Sequence, residues 1–210
     1  MEITVVLSGD PRRAALCGRV ADWYKNIAIA KEVILLYERN PAIAFNKGAT
    51  VAKCNIIFCA GGDVIVKPST LSKMASEVKE GEVLFLVPES LGVRRRFCSK
   101  AVLFVCKTTI IKHPIPEKPD FLEEVYWMRE KELKFKPLFF GELHHIHRHS
   151  FAHIFRMSIY RWRERARLKK RSTLVFYIGC LKLFFKSIQI YLAERREKIN
   201  ILPETINDIC

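Results

Sequence analysis

Ile56-Ile57-Phe58-Cys59 is a continuous apolar run with none of the polar alternation that marks a sheet with one wet face. Such a run suits a strand buried on both sides, the kind that forms the middle of a parallel α/β sheet. It continues into Ala60-Gly61-Gly62-Asp63, then Val64-Ile65-Val66 and Lys67-Pro68-Ser69-Thr70-Leu71. The order reads as buried strand, glycine turn, single carboxylate and a new helix opening at Pro68. A carboxylate just past the carboxyl end of a buried strand stands where open α/β sheets bind ligands. Taken alone, Gly-Gly-Asp is a surface turn; the rest of the chain decides between the two readings.

Two further runs precede it. Ile3 to Leu7 suits a central parallel strand and is ended by Ser8-Gly9-Asp10-Pro11. Pro11 then opens a helix to about Lys25, with Ala15, Leu16, Val20 and Trp23 or Tyr24 at helical spacing. Glu32 to Tyr37 is a second strand, and a short helix-like run spans Asn46 to Lys53. Strand, helix, strand, helix, strand predicts a parallel sheet with right-handed crossovers. Beyond Asp63 the pattern gives a helix over Pro68–Lys79 and strands over Glu82–Val87, Ala101–Cys106 and Lys134–Phe140. The polar connection Pro88–Arg96 carries Arg94-Arg95-Arg96, a solvated loop or an anion-pairing group.

The Asn46–Leu71 stretch resembles the centre of family 2 glycosyltransferases of the GT-A fold. In that family Asn-x-Gly, a helix, an Ile-Ile-Phe strand and Asp-x-Asp-Val-x-Val-x-Pro-x-x-Leu follow in this order. The matching residues are Asn46 and Gly48, Ile56-Ile57-Phe58, Asp63-Val64-Ile65-Val66 and Pro68 to Leu71, with Gly61 where the family has its first Asp. The resemblance covers roughly residues 2 to 160. It implies a Rossmann-like, mostly parallel sheet flanked by helices, and a Mg²⁺ or Mn²⁺ ion held by Asp63 against the diphosphate of a nucleotide-sugar donor. Ser8, Asp10, Tyr37, Glu38, Asn46 and Gly62 fall at donor-lining positions, with Tyr37 where the family has a ribose-binding Asp.

Two later stretches extend the resemblance. Asp120 to Arg129 reads as the start of a helix with Glu123 and Glu124 in its first turns, where carboxylates are favoured. Inverting glycosyl transfer needs one carboxylate to take the acceptor's proton, and the resemblance assigns this to Glu124, with Glu123 beside it. Without the resemblance, two adjacent Glu are a solvated helix face. Five of the six histidines lie between residues 144 and 153. The resemblance places His145, with His147 as the alternative, near the ion or the diphosphate; the other reading is a polar loop. His149 and His153 are one helical turn apart but lack a third ligand at zinc spacing.

Charge separates the chain into two parts, expected as residues 1–148 and 149–210. Of the net +14, most belongs to Arg148–Lys198, which holds 14 Lys/Arg against 3 Asp/Glu. Such a basic arm points to a phosphate-rich partner, an anionic membrane surface before nucleic acid. Aromatic and Arg residues alternate over Phe155–Arg163. From Leu174 to Arg196 the pattern is helical, with Leu174, Ile178, Leu181, Phe185, Ile188 and Leu192 on one apolar face and Lys182, Lys186 and Gln189 opposite. These lysines keep the run short of a membrane span, and an interfacial helix is the physical alternative. The seven Cys form no Cys-x-x-Cys pair and sit mostly in apolar runs, which suits reduced thiols and a cytosolic protein, peripheral to a membrane's inner face. The N-terminus enters a strand directly, without a signal-peptide pattern.

The function expected from these features is transfer of a sugar from a nucleotide-sugar donor to a hydroxyl on a sugar, lipid or protein acceptor, with inversion. The alternative is a GT-A-like scaffold without catalysis that binds membrane or a protein partner through its basic C-terminal helices.

Overall fold

Ile3–Ser8 (β1) runs buried between two parallel neighbours, Ala30–Leu36 (β2) and Ile56–Gly61 (β3). The computed structural model describes residues 1–38, 40–86, 102–117, 127, 132–138 and 143–145, and positions 151, 152, 155, 156, 159, 184, 185, 187–189, 191 and 192. Met1–Ile146 and His147–Asn200 belong to two compact units.

The first unit is a mixed α/β fold built on a six-stranded sheet of order β2-β1-β3-β6-β5-β7. The other strands are Glu82–Leu86 (β5), Val102–Cys106 (β6) and Lys134–Leu138 (β7); Val64–Val66 (β4) pairs separately with Leu143–His145 (β8). The expected parallel sheet holds for β2-β1-β3 and for β5-β7, but β6 is antiparallel to both β3 and β5. An antiparallel neighbour needs no helical crossover. The mostly parallel character stands, with one reversed strand in the middle.

Helices cover both faces because the buried strands are apolar on both. Ala14–Lys25 (α1) follows a 3-10 turn at Pro11–Arg13 and lays Tyr24 on one face, its ring 5.6 Å from Phe58, which in turn lies tilted 4.8 Å from Phe104. On the opposite face, Val6, Ile57, Cys59, Val105 and Leu103 form one buried cluster with Ala42, Phe45 and Ala49 of Pro41–Val51 (α2), Ile110 of Lys107–Lys112 (α4) and Trp127. Pro68–Glu77 (α3) opens at Pro68 and buries Leu71, Met74 and Ala75.

The helix begins earlier than the Asn46 start expected from sequence, and residues 40–46 belong to it. They are the cap and first turns of α2: Asn40 Oδ1 accepts from Ala42 N at 2.9 Å and Pro41 occupies the first helical position. Both are strong start signals, an Asx cap and a proline whose missing N–H costs nothing there. Asn46 is therefore in the middle of the helix. Gly48 is the contact point with β1, since a Cβ there would come within 2.3 Å of Val6 Cγ1.

In the second unit, Phe184 meets Phe151 and Phe155 edge-on at 5.6 and 5.4 Å, and Tyr191 meets Phe151 at 6.1 Å. Ser187 is fully buried, whereas Phe185 and Leu192 are exposed. Ring contacts at 184 and 191 and the burial of Ser187 thus mark a packed side next to the apolar face read over 185, 188 and 192.

Candidate functional site

The sheet order places β2 on one side of β1 and β3 on the other. The chain therefore reverses direction across the sheet between β1 and β3, and ligand crevices of open α/β sheets form at the carboxyl ends of such a pair. The two ends are level: Ser8 pairs with Gly61 on one side and with Leu36 on the other. Gly62 N donates to Ser8 O at 2.8 Å, and Gly9 N donates to Leu36 O at 2.8 Å. Strand pairing thus fixes Asp10 and Asp63, each two residues beyond its strand, on the same edge.

Between them stands Arg13. Its Nη1 donates to Asp63 Oδ2 at 3.1 Å and its Nη2 lies 3.4 Å from Asp10 Oδ2. Arg12 holds Asp10 from the outside with Nε and Nη2 at 3.1 and 3.0 Å, while its backbone N donates to Asp10 Oδ1 at 3.0 Å. That last bond makes Asp10 the cap of the 3-10 turn. The Arg12 hydrogen bonds, with the two guanidinium charges, hold the Asp10 carboxyl below the usual Asp value against a weaker desolvation in the other direction. Two carboxylates and two guanidiniums form an almost neutral cluster that any anionic ligand must open.

The glycines of the turn serve the protein's own packing. A Cβ on Gly62 would meet Cys17 Sγ at 2.9 Å and the Gly9 backbone at 3.1 Å, and a Cβ on Gly9 would sit 2.8 Å from the Tyr37 ring. The space beside Gly62 is therefore filled by Cys17 and Gly9. Burial raises the Cys17 thiol above its ordinary value, and the Asp63 charge adds to the rise. Tyr37 lays its ring over the end of β1, remains 43% exposed, and donates from its hydroxyl to Ala14 O at 3.3 Å.

Asp63 is steadied from behind by β4. Tyr24, buried completely, donates to Val64 O at 3.2 Å and accepts from Val66 N at 3.1 Å. The backbone of His145 pairs with Val64 in the β4-β8 ladder, next to Asp63 in register.

Of the sequence-derived candidates, Ser8, Asp10, Tyr37, Gly62 and Asp63 meet at this edge, and His145 adjoins it in register. Glu38 is two residues beyond β2 and pairs with Lys47 Nζ at 2.6 Å. Asn46 uses its amide elsewhere: Nδ2 donates to Ile115 O and Glu117 Oε1 at 2.9 and 3.1 Å, and Oδ1 accepts from Ile115 N at 2.9 Å. It clips the segment after α4 onto α2. Glu123, Glu124, His147 and Arg94 to Arg96 lie outside the described residues. Arg13 is the residue that sequence reading missed. Its signal was a basic pair directly after the Pro11 turn, but its partner Asp63 is 50 positions away.

One Asp63 oxygen is taken by Arg13, and no group of three or more His, Cys, Asp or Glu able to hold a metal exists among the described residues. The cation that joins the two carboxylates is a guanidinium.

No family model and no curated protein matches the chain. Among solved structures it is similar to a nucleotidyl transferase from Methanothermobacter thermautotroptrophicus, at 13% identity over 67% of this chain and 88% of that one, TM-score 0.49. A protein from Aquifex aeolicus gives 14% identity, 67% and 88% coverage and a TM-score of 0.45. The inositol-1-phosphate CTP transferase from T. maritima gives 15%, 69% of each chain and 0.37. Likeness at this level carries no functional argument; the fold stands on its own strand order.

Proposed function

We propose that the protein is a glycosyltransferase that binds the diphosphate of a nucleotide-sugar donor at the carboxyl ends of β1 and β3. The observation that carries this reading is the meeting of Asp10, Arg13 and Asp63 at the switch point of the sheet, on strand ends held level by the Ser8–Gly61 pairing. Donor phosphates would compete with the two carboxylates for the Arg13 fork, an exchange between charge-assisted hydrogen bonds of the same kind. The exposed Tyr37 ring offers a stacking surface for the base, and Asp10 and Glu38 flank it as acceptors for sugar or ribose hydroxyls. Glu124, with Glu123 next to it in sequence, takes the role of the base that removes the acceptor proton during inverting attack.

Mg²⁺ or Mn²⁺ enters this reading only with Arg13 turned away from Asp63; bound there, the ion would neutralise charge on the leaving diphosphate. Calorimetric titration with UDP-, GDP- and CDP-linked sugars, with and without Mn²⁺, tests the proposal. The expected result is saturable heat with at least one donor, lost in Asp63→Ala while the variant's thermal unfolding stays cooperative. Absence of heat with every donor would favour a scaffold without catalysis, and unchanged heat in Asp63→Ala would remove Asp63 from the site.

A further inference from the structure

We infer that the second unit docks on an anionic lipid surface through the helix face that carries Phe185 and Leu192. The helix of residues 184–192 has two apolar sides. One is partly covered within the unit, where Phe184, still 39% exposed, and Tyr191 meet Phe151 and Ser187 is buried between them. The other carries the stronger sequence pattern and is the more open: Phe185 is 62% exposed and Leu192 45%, seven residues apart and so on one face.

A helix that buries a serine while it presents a phenylalanine and a leucine to solvent has its larger apolar side turned toward something else. Scattered surface apolar residues need no explanation, but this pair coincides with the charge extreme of the chain. Arg148–Lys198 holds 14 Lys/Arg and 3 Asp/Glu, and Lys182 and Lys186 flank Phe184 and Phe185 in sequence. Aromatic and aliphatic insertion beside clustered basic residues is the chemistry of an interfacial helix on acidic headgroups, where each nearby cation adds to the attraction and the apolar groups resist its loss in salt. No described helix is long and apolar enough to cross a membrane. A nucleic acid would use the same charge without any need for exposed Phe185 and Leu192.

The test uses the full chain in co-sedimentation with vesicles of phosphatidylcholine alone and of phosphatidylcholine with phosphatidylglycerol. Binding is expected only with the anionic lipid, weakened but not abolished by salt, and lowered roughly tenfold by the double substitution Phe185→Ser and Leu192→Ser. Both side chains are exposed, so unchanged circular dichroism of the double variant separates lost insertion from lost folding. Failure to sediment with anionic vesicles would overturn the inference. Equal binding of wild type and double variant would reduce it to charge alone and also overturn it. So would a wild-type dimer that the double variant abolishes, which would make a second copy the occupant, or RNA binding insensitive to the two substitutions. None of these outcomes depends on whether a sugar nucleotide binds the first unit.

Discussion

Arg13 reaches Asp63 at 3.1 Å and thereby joins residues that begin α1 and β4, 50 positions apart in the chain. With Asp10 at 3.4 Å on its other nitrogen, it separates two carboxylates that would otherwise face each other. Replacing Arg13 by Met is expected to lower stability by about 0.5–1 kcal/mol, the range of partly exposed ion pairs, measured by urea unfolding. If Arg13 also receives the donor's phosphates, affinity for the sugar nucleotide falls at least tenfold in the same variant. Loss of stability with intact affinity would make the residue a strut alone.

The two helix glycines should respond oppositely to Ala. Gly48→Ala drives a methyl against Val6, a fully buried side chain with no room to withdraw, and overpacking of this kind costs about 1–3 kcal/mol. Gly18, in the interior of α1, has nothing within 4 Å of an added Cβ, so Gly18→Ala gains about 0.5–1 kcal/mol of helix propensity. Thermal unfolding of the pair, with opposite shifts in Tm, checks how closely α2 lies on β1.

Tyr24→Phe removes one oxygen that serves two buried backbone groups of β4. The unsatisfied carbonyl and N–H cost about 1–3 kcal/mol, readable as a lower urea midpoint. Amide exchange should accelerate at Val66 in particular, because its N–H donates to that hydroxyl.

Asp10 gives the cluster a pH dependence. Its folded carboxyl titrates below the ordinary value of 3.8 because Arg12 and Arg13 favour its charged form. The stability it contributes is complete above the unfolded value and lost as pH falls through the lower folded value. Wild type and Asp10→Asn should differ in unfolding midpoint near neutral pH and converge as the pH drops from about 5 to about 2. A difference that persists at the acid end would assign it to the shape of the turn and not to charge.

How much of this was legible depends on how local each cause is. β1, β3 and α3 announce themselves through unbroken apolar runs and through Pro68 at a helix start, and the structure sets them within a residue or two of where the pattern does. The start of α2 was equally written in Asn40 and Pro41, an ordinary cap ahead of the helix-like run expected from Asn46. The reversal of β6 has no local signal, since its apolar residues suit either direction and only its neighbours β3 and β5 decide. At the site, Asp10 and Asp63 were visible because each ends a strand, whereas Arg13 acquires meaning only once β1 and β3 lie side by side.

The claim that the ligand crevice is the edge shared by β1 and β3 can be tested by titrating the ¹⁵N-labelled chain with a nucleoside diphosphate sugar and following backbone amides. The account predicts that Gly9, Gly62 and Asp63 shift first and together, with saturation at one equivalent, while Gly18 and Gly81 on other parts of the fold stay in place. Shifts confined to other residues, or none at any donor concentration up to the millimolar range, would contradict it.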